Sequence, residues 1–261
     1  MRTKMFQLDS FTTERFKGNP AAVVCFADYP DAALMQAIAA ENNLAETAFI
    51  VPQADEYRIR WFTPVTEVPL CGHATLASAA VVMARLEPGR SRVVFDSASG
   101  PLAVHRTAGG YVMDFPARFS APVEPPGGLR ELLGVGFREV VADPFNYLVQ
   151  LDDAKAVRDL DPSLDAIAAL DRAGLIVTAR GDGDFDMVSR YFAPAKGIPE
   201  DPVTGAAHCA LTPYWAERLG KSELRAYQAS RRGGELRCSL RGSRVDLQGA
   251  CVFYCEGWIE I

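Results

Sequence analysis

The chain of 261 residues is 49% hydrophobic and 23% charged, a globular balance that suits one large domain or two of ordinary size and excludes a single small module. Its 27 Lys and Arg against 33 Asp and Glu leave a net charge of −6, with no basic cluster beyond Arg231 and Arg232, so nucleic acid is excluded as the main partner. No segment approaches the roughly 18 unbroken apolar residues of a membrane span. The opening residues run straight into a strand-like pattern without an apolar leader or cleavage site, so a cytoplasmic protein with no membrane partner is expected.

In chain order, alternating or β-branched and aromatic runs predict strands at 4–8, 21–26, 48–51, 57–62, 93–95, 102–106 and 111–115. A helix fits 31–42, with Leu34 and Ile38 on one face. A second fits 73–86 and is apolar almost all round, which predicts burial. Pro116, Pro122, Pro125 and Pro126, followed by Gly127 and Gly128, suit an extended crossing rather than a helix or central strand. This segment, 118–128, separates a domain at 1–117 from one at 129–261. Beyond it, strands are expected at 140–151, 175–178, 185–192, 236–240, 245–248 and 251–256, with a helix at 162–172. A buried helix at 206–219 would end on Gly220.

The two halves repeat. Arg60, Phe62, Pro64 and Pro69 match Arg190, Phe192, Pro194 and Pro199 at a constant offset of 130, and Trp61 and Val68 match Tyr191 and Ile198 conservatively. Each segment runs on to a glycine and a run of small residues, from Gly72 in one half and Gly205 in the other. Matches in the same order predict a duplicated α/β unit. Long hairpin-like runs beside one apolar helix per half suggest a curved sheet wrapped about each helix.

The two small-residue helices open on polar clusters: Leu70-Cys71-Gly72-His73-Ala74-Thr75 and Glu200-Asp201-Pro202-Val203-Thr204-Gly205-Ala206. A helix N-terminus presents unpaired backbone N–H groups and the positive end of a dipole, and glycine lets a ligand come close to the backbone. Two such ends would hold a carboxylate or other anionic substrate group without a cationic side chain. The plainer reading is a pair of capped helices, with Asp201 before Pro202 as a cap. His73, in the first helical turn, should be kept neutral by the dipole and so be fit for proton transfer; His208 reads as structural. Glu46, between a helix and an apolar strand, is either a solvated carboxylate or, if partly buried, a general base.

Cys25, Cys71, Cys209, Cys238, Cys251 and Cys255 include no CxxC pair and mostly sit in apolar surroundings, which fits reduced buried thiols. Cys71 precedes a helix N-terminus and could form a thiolate. Its counterpart in the repeat is Thr204, which disfavours a racemase built on paired cysteines. With only His73, His105 and His208 as histidines, no metal site is expected. Neither a strand–GxGxxG–helix nor a GxxxxGK[ST] pattern occurs.

Taken in register, Phe16-Lys17-Gly18-Asn19-Pro20-Ala21-Ala22-Val23, Leu44-Ala45-Glu46-Thr47, Cys71-Gly72-His73-Ala74-Thr75 and Glu200-Asp201-Pro202-Val203-Thr204-Gly205 resemble the PhzF-like isomerases of the phenazine-biosynthesis type over most of the chain. The resemblance implies the diaminopimelate-epimerase-like fold: an α+β protein of two pseudo-symmetric domains. Each would be a curved, mostly antiparallel sheet around a central apolar helix, with the active site in the interdomain cleft. It implies a homodimer, no cofactor, Glu46 as the residue that moves a proton between carbons, and His73 and Asp201 as its catalytic companions. It also implies substrate binding by Asn19, Cys71, Gly72, Thr204, Gly205 and Ala206. The chain departs from the phenazine enzymes at Ala45 and Ala206, where they carry serine.

Three functions are therefore in view. The first is a cofactor-independent isomerase acting on a small carboxylate-bearing metabolite. The second is a small-molecule-binding or interaction protein that kept the fold without turnover, motivated by Ala45 and Ala206. The third is a racemase or epimerase dependent on Cys71.

Overall fold

A computed structural model describes residues 2–261. In chain order it contains β1 (Arg2–Ser10), β2 (Asn19–Cys25), α1 (Ala32–Asn42), β3 (Glu46–Gln53), β4 (Glu56–Phe62), β5 (Glu67–Val68), α2 (Gly72–Val81), β6 (Arg92–Asp96), β7 (Leu102–Thr107) and β8 (Gly110–Pro116). There follow β9 (Ala121–Pro122), α3 (Leu129–Leu133), β10 (Glu139–Ala142), β11 (Asn146–Gln150), α4 (Ala154–Asp159), α5 (Leu164–Ala168), β12 (Gly174–Arg180) and β13 (Met187–Phe192). The chain ends with α6 (Gly205–Leu219), β14 (Glu223–Gln228), β15 (Gly234–Arg241), β16 (Arg244–Gly249) and β17 (Cys251–Glu260). It divides into two compact units, one made of residues up to Asp114 together with Gln248–Ile261, the other of Phe115–Leu247. The last strand thus packs with the first unit, where the sequence placed it in 129–261. The reason is local: β17 runs antiparallel to β1 along its whole length, from Arg2 opposite Glu260 to Ser10 opposite Cys251.

In the first unit β2 and β3 are parallel, joined by α1, and β3 turns back antiparallel onto β4. Asp31 caps α1 through its carboxylate on the Leu34 N–H, and Asn43, in the left-handed region, ends it. Met35, Ile38 and Ala39 of α1 pack on Val24, Phe49, Val51 and Phe62 of the strands. α2 packs on β1, β2 and β3 and is buried from His73 to Val81. Its hydroxyls cost little there, because Thr75 and Ser78 donate back to the Cys71 and Ala74 carbonyls at 2.6 and 2.7 Å. The predicted helix 73–86 is α-helical only to Val81 and finishes as a π-helical turn at Val82–Leu86.

The second unit repeats the plan. β11 and β12 are parallel, β12 turns back onto β13, and the buried α6 ends on Gly220 in the left-handed region. The duplication reaches side chains. Arg60 forks onto the Glu67 carboxylate and lies over Phe62; Arg190, at the offset of 130, forks onto Glu200 and lies over Phe192. Most strand pairs are antiparallel, with parallel pairs where a helix crosses over, so the class is α+β.

Two further predicted elements differ. The run 140–151 is a hairpin, not one strand: Pro144 lacks a donor, and the Asp143 carboxylate instead accepts from the Phe145 and Asn146 N–H groups to close the turn between β10 and β11. The helix at 162–172 is confined to α5, capped by Ser163 and followed by turns that lead into β12. α3, α4, β5, β9 and β14 were not foreseen.

Candidate active site

Four segments of the first unit converge on the mouth of α2. Parallel pairing of β2 with β3 sets Glu46, the first residue of β3, beside Ala21. Asn42 at the end of α1 holds this start by donating to the Thr47 hydroxyl at 3.1 Å. Asn19, fully buried, opens β2 opposite Ser10. Ser10 donates to the His73 carbonyl at 2.9 Å, which pins the backbone of the helix mouth to β1, and the Pro20 carbonyl of β2 favours the charged form of the His73 ring.

These constraints bring Glu46, Cys71 and His73 together. Glu46 Oε2 lies 3.2 Å from His73 Nε2, with the two side chains only 12% and 6% exposed. The pair is at hydrogen-bond distance but not aligned as a settled bond, a looseness common in catalytic groups without substrate. Cys71 Sγ lies 3.5 Å from His73 Nδ1. Burial lowers the His73 pKa from 6.5 to about 4, against a smaller opposing effect of the Pro20 carbonyl. His73 is therefore neutral at pH 7, as the sequence led us to expect, with burial rather than the helix dipole as the main cause. A neutral imidazole has one N–H and one lone pair. Set between a thiol and a carboxylate, it can accept a proton from one side while giving one to the other.

Cys71 is the N-cap of α2, yet its side chain makes no capping bond. The other buried thiols, Cys209 and Cys238, and the partly covered Cys25 and Cys251, are all pushed up to about 12 by burial. Cys255 is exposed, against the expectation of buried thiols.

The second unit assembles its own helix mouth from Asp201, Thr204, Gly205 and Ala206. Asp201 is not the cap of α6. That position is Thr204, and its hydroxyl donates to Asp201 Oδ2 at 2.6 Å instead of capping the helix. Gln228, fully buried, organises the loop. Its Oε1 accepts the Thr204 N–H at 2.8 Å, and its Nε2 donates to the Asp201 carbonyl at 2.7 Å and to the Thr204 hydroxyl at 3.1 Å. His208 Nδ1 lies 2.8 Å from the Thr204 carbonyl, and burial holds its pKa at about 4, consistent with a structural role. Gly205 is buried and Ala206 exposed.

Gln228, Pro20 and Ser10 were not picked out from the sequence. For Gln228 a signal existed: in Glu223–Gln228 the buried residues alternate as Leu224, Ala226 and Gln228, so period-2 counting puts an amide on the inner face.

Two α/β units of like topology, each with a buried small-residue helix that opens on polar groups, define an epimerase- and racemase-type fold. The chain belongs to the PhzC-PhzF family of phenazine biosynthesis-like proteins, whose family model matches residues 8–127 and 141–257. It is 46% identical over 261 residues, the whole of both chains, to an uncharacterized isomerase of Pseudomonas aeruginosa. A PhzF family crystal structure from Enterococcus faecalis superposes with a TM-score of 0.97 at 41% identity, covering all of both chains. A hydroxyproline epimerase of Agrobacterium vitis, solved with bound trans-4-hydroxy-L-proline, shares the fold at a TM-score of 0.60 and 9% identity, over 99% of this chain and 92% of its own. Among the described residues no helix is long and apolar enough to cross a membrane.

Proposed function

We propose that this protein is a cofactor-independent isomerase that moves a proton between carbons of a small carboxylate-bearing metabolite, with Glu46 as general acid and base. The carrying observation is the contact between Glu46 and a neutral, buried His73. Ionised Glu46 would take a proton from a carbon next to an unsaturated or carboxylate-bearing centre. The electron pair left behind would delocalise into that system, and the same carboxyl would return the proton to another carbon. Backbone N–H groups at the mouth of α2 would bind the substrate carboxylate and stabilise the developing charge. His73 would keep Glu46 oriented and exchange protons with it, and Asp201, Thr204, Gly205 and Ala206 are proposed as further substrate-site residues. Asn19, Cys71 and Gly72 would line its binding site. The hydroxyproline epimerase, a fold neighbour with a small carboxylate bound, supports this substrate class. We further propose a cytoplasmic homodimer, to be checked by cell fractionation and by light scattering.

The test is solvent exchange. Small unsaturated carboxylates are incubated with the protein in D2O and followed by NMR. Wild type should place deuterium on carbon in one of them. Glu46→Gln should slow this by at least about 100-fold, the lower range of what a positioned acid/base group supplies. Full exchange by Glu46→Gln removes the assigned role. Stabilisation by carboxylates without any exchange would favour the non-catalytic binding protein suggested by Ala45 and Ala206.

A thiol-dependent epimerisation has one observation of its own, the 3.5 Å approach of Cys71 Sγ to His73 Nδ1. Under that reading Cys71→Ser abolishes exchange; under the preferred one most of it survives.

A further inference from the structure

We infer that Glu46, Cys71 and His73 form a binding site for a zinc-like divalent ion, and that the ion switches off the proton-transferring carboxylate. Binding stands on the geometry of the three side chains; the switch rests on the role proposed above for Glu46.

One ligand atom from each of the three residues lies within 4.8 Å of the other two. Tetrahedral zinc, with Zn–S near 2.3 Å and Zn–N and Zn–O near 2.0–2.2 Å, places such atoms roughly 3.4–3.6 Å apart. The 3.5 Å between Cys71 Sγ and His73 Nδ1 falls in that range, and the 3.2 Å between Glu46 Oε2 and the other ring nitrogen, His73 Nε2, is slightly shorter. Because one imidazole nitrogen binds the ion, only one of these two distances applies, and the other two pairs, within 4.8 Å, must close by up to about 1.4 Å through side-chain rotation. Thiolate, imidazole and carboxylate together suit zinc or cobalt over magnesium or calcium, which want oxygen alone.

The surroundings are those of a supported metal site. A ligating histidine usually gives its other N–H to a backbone carbonyl, and the Pro20 carbonyl is the backbone acceptor beside the His73 ring. The His73 and Cys71 backbones are held by the Ser10 and Thr75 hydroxyls. The ion takes up the thiolate, releasing the Cys71 proton to buffer, and ties up the Glu46 lone pairs that would otherwise accept a proton from carbon. Three protein ligands leave the fourth position to water.

Cobalt reports the site without substrate. Protein stripped with chelator is titrated with Co2+, and the thiolate-to-cobalt charge-transfer absorption is followed. Wild type and Cys255→Ser should both develop the band to one equivalent and lose it on adding Zn2+; Cys71→Ser should show none. Partners one shell out from a metal are worth about 10–100-fold in affinity, so His73→Ala, which removes a ligand, should weaken Zn2+ binding at least about 100-fold. Absence of the band in wild type, or its survival in Cys71→Ser, overturns the site. Solvent exchange measured in chelator tests the isomerase separately. Intact exchange with no cobalt band sinks the metal site alone, and a cobalt band with unimpaired exchange by Glu46→Gln sinks the role of Glu46 alone. Exchange by wild type that one equivalent of Zn2+ leaves undiminished overturns the switch.

Discussion

The packing around Gly205 does not require a glycine. A methyl group added there would meet only Leu247 Cδ1 at 3.6 Å, an ordinary contact, and the residue is not in the left-handed region. Gly18 is the opposite case. Its φ is +64°, and an added methyl would sit 2.1 Å from the Ser10 carbonyl oxygen. Gly18→Ala should therefore destabilise the protein by roughly 2 kcal/mol or more through strain alone. Gly205→Ala should leave stability unchanged or raise it by up to about 1 kcal/mol, while weakening binding of small carboxylates. Urea unfolding and thermal shift with carboxylate ligands measure the two effects. Equal destabilisation by both variants would remove the case for ligand approach at Gly205.

The two buried histidines make a pH prediction. Both have folded pKa values near 4 against an ordinary 6.5, because burial disfavours the charged form. Between those values the unfolded chain binds more protons than the folded one, so stability falls as pH drops from about 6.5 to 4.5. The stability from neutral burial is present above pH 6.5 and lost toward pH 4, by up to about 3 kcal/mol per histidine. Unfolding curves at about pH 7, 5.5 and 4.5 measure this. His208→Gln should remove a large share of the slope, and an unchanged slope would discard His208 as a source.

At the scale of elements, the two helix mouths are held by different devices. The mouth of α2 leans on backbone and hydroxyl groups of β1 and β2, whereas that of α6 leans on one side chain from β14. Gln228→Leu would strand the Thr204 N–H and the Asp201 carbonyl in the interior. Each unmet group costs about 1–3 kcal/mol, so a loss of several kcal/mol is expected by urea unfolding, together with loss of carboxylate binding. A loss under about 1 kcal/mol would mean that water or another donor replaces the amide.

The helices that carry the candidate site were legible because glycine followed by small residues is a strong local pattern. Glu46 was less so: its local sequence fits a solvated carboxylate equally well, and only the pairing of β3 with β2 turns it toward His73. The neutral state of His73 was anticipated for a lesser cause, since burial is a property of the assembled unit that no local pattern displays. The β10–β11 hairpin was missed because an apolar run on both sides of Pro144 hid a turn closed by one carboxylate.

At the scale of the whole molecule, the repeat is a duplication that the twin pairs Arg60–Glu67 and Arg190–Glu200 record in atomic detail, the arginines 130 positions apart and their carboxylates 133. Each pair is partly exposed, so its direct contribution to stability is small; its value lies in showing that the two units share a common plan. What sequence could not display was which unit owns the last strand. That choice depends on pairing between residues more than 240 positions apart, such as Ser10 and Cys251, and such pairings leave no local trace.

The strand exchange at the end of the chain also sets an order of events in biosynthesis. The ribosome delivers all of Phe115–Leu247 before it delivers Gln248–Ile261. The second unit has its entire sequence in hand while the first still lacks the partner of β1. Until β17 arrives, β1 presents an unpaired edge of nine residues to the cell. Until β17 pairs with it, that edge is where the nascent protein is open to misassociation.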